Sequence, residues 1–246
     1  MQGFIASISA TLLSASAFAQ GGPPLAIDDP GTPGDGKWEI NGALTTEITH
    51  SRQTYGLPAL DFNYGLGERI QLKFESEGDL IRVLGEAIRY GVGYSKVGVK
   101  WRFVDEEKTG IAVSIYPQFR FNSPVAPADG NTKAPVQLLL PVEVFKNIKG
   151  FEVMGEAGIN FISGQLPQLL YAFALGYQVS SRVEIMGELH GLARVDFHED
   201  ELEARVGARV TFSKRFKLLL SAGHTLRTPS GDEPGFTMYL GVQYTP

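Results

Sequence analysis

The sequence of 246 residues contains no cysteine, which excludes a disulfide framework and any thiolate metal site. It also lacks a basic surplus, since 22 basic and 27 acidic residues give a formal charge of −5. Nucleic acid is therefore not expected as a partner, because it normally requires a basic face. No phosphate loop, zinc spacing or dinucleotide fingerprint is present, so no cofactor is predicted.

Long hydrophobic runs are also scarce. Residues 1–19 carry no charged side chain and end in Ala17-Phe18-Ala19, a pattern typical of a secretory signal peptide. The alternative is a buried N-terminal helix. After the N-terminal region, residues 157–181 form the longest charge-free stretch, but a cluster of Asn, Ser, Gly, Gln and Pro divides it near the middle. Such a cluster indicates a turn, so we predict a hairpin there and no membrane helix in the mature chain.

The informative signal that is present is an alternation of period 2. In the last segment Phe236, Met238 and Leu240 alternate with Thr237 and Tyr239. Twelve segments alternate in this way: 37–49, 58–66, 69–77, 94–104, 110–122, 135–145, 150–162, 168–180, 182–195, 201–212, 215–225 and 235–245. Most are longer than the five or six residues usual in soluble sheets, and they reach the nine to eleven that a tilted membrane-spanning strand needs.

The connections between these segments alternate between tight and longer, as in outer-membrane barrels with short periplasmic turns and longer external loops. The longest predicted loops are 78–93 and 123–134. An even number of strands places both termini on the periplasmic side. The sequence therefore predicts an all-β, antiparallel, up-and-down transmembrane β-barrel of twelve strands over 37–246, preceded by a periplasmic segment at 20–36, in the outer membrane of a Gram-negative bacterium.

Aromatic residues support the same fold. Nine of them occupy the apolar phase at strand ends beside the short turns: Trp38, Tyr64, Trp101, Phe103, Phe151, Tyr177, Phe212, Phe216 and Tyr244. Phe121, Phe161 and Phe236 mark the opposite rim. Aromatic girdles at the two interfaces are typical of membrane barrels, so lipid and lipopolysaccharide are the expected surroundings.

Several blocks of sequence resemble the outer-membrane barrel family associated with the meta-pathway of phenol degradation. They are 26–30 (AIDDP), 38–39 (WE), 58–65 (PALDFNYG), 93–103 (GYSKVGVKWRF) and 239–244 (YLGVQY). The resemblance implies a transporter-like barrel that takes up small, aromatic or hydrophobic solutes. It implies no catalytic residues.

In each strand, the residues that alternate with the apolar ones should line the lumen. The charged members of this set are Glu39, Glu47, Asp61, Lys73, Glu75, Lys100, Arg102, Arg120, Glu143, Glu152, Glu156, Glu184, Glu188, His190, Arg194, Glu203, Arg205, Arg209 and Lys217. Twelve strands lie between filled eight-stranded barrels and open porins. Two interpretations stay open, a narrow polar conduit and a lumen closed by structural ion pairs, since buried charges need partners.

The segment at 20–36 contains four prolines and several glycines and is the least strand-like part of the mature chain. One interpretation is a simple linker. The other is a plug that folds into the periplasmic mouth, with Asp28 or Asp29 paired to an inward Arg or Lys. At the other end of the chain, Tyr239, Gly241 and Tyr244 resemble a terminal-strand insertion signal for the barrel-assembly machinery, although Pro246 stands where an aromatic residue normally ends it.

Passive uptake of a small solute is the leading functional prediction, and no enzymatic activity is predicted. The alternatives are a closed structural barrel and a lipid-active hydrolase. A hydrolase would need a nucleophile beside a base, for which the sequence offers Ser221 and His190.

Overall fold

The computed structural model describes residues 22–123, 126–131, 134–197, 200–229 and 233–246. The predicted signal peptide at 1–19 lies outside these ranges. Within them, no helix has the length and apolar character to cross a membrane. The strands of the described residues form a single large sheet.

Thirteen strand segments and one short helix make up the described chain. They are β1 (Trp38–Ile48), β2 (Arg52–Leu66), β3 (Ile70–Val83), β4 (Arg89–Val104), α1 (Glu106–Thr109), β5 (Ala112–Ile115), β6 (Gln118–Asn122), β7 (Gln137–Ile148), β8 (Phe151–Ile162), β9 (Gln168–Ser180), β10 (Val183–Arg194), β11 (Asp200–Thr211), β12 (Phe216–Arg227) and β13 (Phe236–Tyr244). β5 and β6 lie end to end between β4 and β7, separated by Tyr116-Pro117, and together fill one position of the wall.

The sheet closes on itself. With β5 and β6 taken as one strand, each strand pairs antiparallel with its neighbours in sequence. β1 pairs with β13 through Ile40 opposite Tyr244 and Ile48 opposite Phe236. The result is the predicted twelve-strand antiparallel barrel. We call the end that holds the start of β1 and the end of β13 the terminal end, and the other the loop end.

Side-chain alternation explains why this sequence forms a barrel. Leu240 and Val242 on β13 are nearly half exposed on the outside, whereas Gln243, the residue after Val242, points inward and is 2% exposed. Exposed apolar side chains recur on the outside of the other strands, and buried polar ones recur inside. A closed sheet leaves no unpaired backbone edge, as a membrane interior requires. The exposed apolar side chains are stable only if lipid surrounds them. Together the closure and the apolar exterior define a transmembrane β-barrel.

The predicted aromatic band lies on the outside at the terminal end. Pairs of rings contact one another across neighbouring strands, with centroids 4.8 Å apart for Trp38 and Tyr64, 4.8 Å for Phe151 and Tyr177, and 5.0 Å for Phe216 and Tyr244. Amphipathic rings at this height suit a membrane interface. The structure thus confirms that the aromatic phase faces outward.

The predicted strand bounds were wrong for β2, β3 and β4. The predicted loop at 78–93 shrinks to 84–88, because β3 continues to Val83 and β4 begins at Arg89. A β-bulge on β2 between Gly56 and Ala59 and another on β4 opposite Ser76 and Gly78 shift the register. Each reverses the parity of the strand that carries it, on which the prediction relied. The contrast in loop length is correspondingly weaker, since 49–51 at the loop end is shorter than 105–111 at the terminal end.

Candidate functional site

The N-terminal segment, defined here as residues 22–36, lies inside the terminal half of the barrel. Its Leu25 and Ile27 are almost completely buried. They form an apolar core with five inward residues from one side of the wall, Ala112, Phe145, Met154, Ala174 and Met186. A proline-rich segment with no strand pairing is therefore held by packing.

Ion pairs hold the same segment. The Lys100 ammonium donates to the Asp28 carboxylate at 2.6 Å and to the backbone carbonyl of Asp29, and Lys73 lies 3.6 Å from Asp28. Burial alone would raise the pKa of Asp28, but the two lysines outweigh it and hold that pKa well below its usual range. Burial raises the pKa of Asp29 to about 6. Asp28 is thus docked as a carboxylate.

Wall residues also bind the backbone of the segment. The Glu188 carboxylate accepts the N–H groups of Ala26 at 2.8 Å and Ile27 at 2.9 Å. On the neighbouring strands, Arg209 donates to the carbonyl of Pro23 at 3.2 Å, and the Ser221 hydroxyl donates to that of Pro24 at 2.6 Å. These contacts satisfy backbone groups that have no ladder partner inside the lumen.

Several other predicted lumen residues meet around this cluster. Lys73 contacts Glu75 at 2.6 Å and Asp61 at 3.5 Å. Glu143 lies 3.7 Å from Lys100, and Glu156 accepts the backbone N–H of Asp28 at 3.3 Å. The structure therefore brings most of the predicted charges in the terminal half into one network with the segment.

The remaining candidates lie at the edges of that network or toward the loop end. Arg102, at the terminal rim, contacts Asp105 at 3.3 Å and the Pro30 carbonyl at 3.5 Å. Arg205 contacts Glu203 at 3.0 Å and Glu188 at 3.5 Å. Arg120 stacks over the Tyr94 ring at 4.0 Å, toward the loop end. Glu39 accepts from Asn41 at 3.4 Å. His190 lines the cavity described next.

A cavity of about 450 Å³ lies on the loop side of the N-terminal segment. One side of its lining is charged, with Glu75, Glu77, Lys96 and Arg120 from β3, β4 and β6. The other side, on the segment and on β7 to β10, is mixed: its apolar members are Leu25, Leu139, Leu170 and Leu192, and its polar members are Gln137, Glu156, Asn160 and His190. A cavity of this size and mixed lining is of the kind that holds a small organic molecule.

Ser221 and His190 do not form a catalytic pair. Strand register places Ser221 opposite Gly207 and His190 opposite Glu203, so the two lie two strands and four residues apart. At ~3.3 Å per residue and ~4.8 Å per strand this separation is about 16 Å, far beyond hydrogen-bonding reach. Ser221 is instead bonded to the segment. In the part of the chain that the structure describes, no three acidic or histidine side chains group as metal ligands.

Some functional residues escaped the sequence analysis. Tyr116 is fully buried, with its ring 4.9 Å from the Lys100 ammonium, and the hydroxyl of Ser114 contacts Glu143. Phe145 has the same parity as Glu143, so alternation alone could have placed it in the lumen. In the final strand, Tyr239 faces inward with its ring over Gly241, while Tyr244 lies outside against Phe216.

The geometry defines an outer-membrane-type β-barrel whose lumen holds its own N-terminal segment, and solved structures share this fold. The COG4313 outer membrane channel from Pseudomonas putida F1 superposes with a TM-score of 0.74 at 12% identity, covering 90% of this chain and 100% of that one. The NanC porin gives 0.60 at 9% identity and the KdgM porin 0.58 at 11%, each covering 84% of this chain and 98% of the other. No family model and no curated protein matches the sequence.

Proposed function

We propose that this protein is a passive channel for small solutes in the outer membrane of a Gram-negative bacterium. The observation that carries the proposal is the cavity of about 450 Å³ inside a closed membrane barrel, ending on the N-terminal segment. The segment then acts as a plug, which limits flow through the terminal half. The fold shared with a channel and two porins supports the same function.

The lining of the cavity favours solutes that combine a polar group with an apolar body. Charged side chains such as Arg120 and Lys96 face leucines such as Leu139 and Leu170. A small aromatic or aliphatic molecule with one polar group matches this division, and it is the class that the resemblance to the phenol-pathway family suggests. The exterior band would contact lipid and lipopolysaccharide, and Tyr239, Gly241 and Tyr244 would present the insertion signal to the barrel-assembly machinery.

The test is single-channel conductance of the purified protein in planar bilayers, with and without residues 20–34. Removing these residues should raise the conductance, because the terminal half loses the groups that fill it. A variant with a Gly/Ser stretch of equal length is the matched control, since it keeps the chain length but loses Leu25, Ile27 and Asp28. Unchanged conductance in both variants would refute the plug. An absence of current in all three proteins would refute transport and indicate a closed structural barrel.

We also propose that the barrel is not an enzyme. A lipase assay of the wild type beside Ser221→Ala and His190→Ala tests this directly. Hydrolysis that disappears in either variant would contradict the proposal. Because Ser221 bonds the plug, its substitution should change conductance slightly and hydrolysis not at all.

A further inference from the structure

The N-terminal segment contacts the two sides of the barrel through different chemistry. On β5 and on β7 to β10, Leu25 and Ile27 pack against Phe145, Met154 and Met186. The carboxylates of Glu156 and Glu188 on the same strands bind the backbone of the segment directly. Separating these surfaces would expose buried apolar area to water at about 25 cal/mol per Å². This side of the lumen is therefore sealed.

The opposite side is a continuous polar wall on β13, β1, β2 and β3. Its members are Gln243, Glu39, Asn41, Asp61, Asn63, Gln71 and Lys73, all buried. Register makes them neighbours, because Gln243 pairs with Asn41, Asn41 with Asp61, and Asn63 with Lys73. Hydrogen bonds then join Asn41 to Asp61 at 3.0 Å and Gln71 to Asn63 at 2.7 Å.

A narrow space separates this polar wall from the segment. It has a volume of about 10 Å³, close to the minimum that holds one water molecule. Thr32, Asn63 and Gln71 line it toward the terminal end. Asp28, Asp61 and Lys73 line both this space and the larger cavity, so the two meet at these three side chains.

Two atoms of the polar wall lack the partner that water or a cation would supply. The amide oxygens of Asn41 and Gln243 are buried and accept no hydrogen bond from any described residue. The residues themselves are 0% and 2% exposed. Both residues adjoin the lining of the narrow space and are not part of it. A buried carbonyl oxygen without a donor is costly, so a hydrogen-bond donor is favourable at these two positions. Carboxylates also outnumber amines around the narrow space, with Asp28, Asp29, Glu39 and Asp61 against Lys73 and Lys100.

We propose that water and small inorganic cations cross the terminal half of the barrel between the N-terminal segment and the polar wall. Asp28, Asp61 and Lys73 form the narrowest point of this route. The apolar side of the segment carries no flow. The proposal rests on the proposed channel function and adds the path and the charge preference.

Cysteine accessibility tests the route, and the natural chain has no cysteine to interfere. Asn63→Cys places a thiol on the polar wall, and Ala174→Cys places one beneath the apolar core as the matched control. In bilayers, a cationic methanethiosulfonate added at the terminal end should block current through Asn63→Cys and leave Ala174→Cys unchanged. It should react about tenfold or more faster than an anionic reagent, since carboxylates concentrate cations in the narrow space.

Mass spectrometry of the labelled barrels gives a readout that does not depend on current, and Gln71→Cys replaces Asn63→Cys if that variant does not fold. Wild-type current with no labelling at either polar-wall cysteine would overturn the route, and so would faster labelling of Ala174→Cys. Faster reaction with the anionic reagent would overturn the cation preference. An absence of wild-type current beside current in the variant without residues 20–34 would also overturn the route, and an absence of current in both would instead overturn the channel function.

Discussion

Replacing Asp28 by asparagine should release the N-terminal segment from the barrel. The change keeps the shape of the side chain and removes the charge. Lys73 retains Glu75 at 2.6 Å, but Lys100, which is 1% exposed, keeps only Glu143 at 3.7 Å as a carboxylate partner. Removing one member of a buried pair costs about 3–5 kcal/mol, and the low end applies because Lys100 retains Glu143.

A loss of about 3 kcal/mol shifts the docking equilibrium about a hundredfold toward the undocked segment. Limited proteolysis of the folded barrel measures that shift, because cleavage within the segment follows the population of the open form when opening is fast. Asp28→Asn should therefore be cleaved about a hundredfold faster than the wild type. Single-channel conductance should rise in parallel.

Asp35→Asn is the matched control. Asp35 belongs to the same segment but is exposed and accepts only the backbone N–H of Gly67, at 2.8 Å. We expect a change of less than about 1 kcal/mol, or a few-fold in cleavage rate. Equal cleavage of the two variants, or wild-type resistance in Asp28→Asn, would refute the view that the Lys100 pair holds the segment.

Three further predictions follow from the same contacts. Glu188→Ala removes the acceptor of two backbone N–H groups, and it should weaken docking by about 2–3 kcal/mol, read as faster proteolysis, with Glu188→Gln intermediate. Docking raises the pKa of Asp29 from 3.8 to about 6, so the protonated carboxyl favours docking. Docking should therefore weaken as the pH rises from about 4 to 6. Asp29→Asn should show a smaller change in resistance to proteolysis over that pH range. Leu240→Arg places a charge on the lipid face and should cost about 2–4 kcal/mol, seen as loss of the heat-modifiable folded band, whereas the inward Gln243→Arg should fold nearly normally; the reverse order would mean that the strand phase is wrong.

Period-2 alternation was sufficient to predict the barrel, because lipid outside and polar groups inside leave a strong signal in regular strands. It failed where the backbone is irregular. β2 has one extra residue between Gly56 and Ala59, and β4 has one opposite Ser76 and Gly78, so the parity of these two strands reverses there. The first residues of β2 and β4 therefore do not continue the pattern of the rest of each strand. Local alternation does not predict the position of a bulge, because that position depends on the pairing with the neighbouring strand.

The candidate site was less predictable than the wall. Parity separated the lumen charges from the lipid-facing residues. The resemblance of block 26–30 to the phenol-pathway family singled out Asp28 and Asp29. The partners of the segment depend on register between distant strands, and Lys100 is 72 residues from Asp28. The apolar anchors Leu25 and Ile27 gave no signal, because two apolar residues among prolines are typical of many linkers.

The positions of these contacts along the chain constrain the order in which the protein assembles. Ile27 bonds Glu188 across 161 residues, Pro23 bonds Arg209 across 186, and Pro24 bonds Ser221 across 197. The first part of the described chain thus takes its partners from three of the last four strands. Contacts of such high sequence separation form late, because the closure entropy of the long loop must first be overcome. The segment reaches its final place only when β10, β11 and β12 are side by side. The lumen of an incomplete barrel therefore remains open, and a docked segment indicates that assembly is complete.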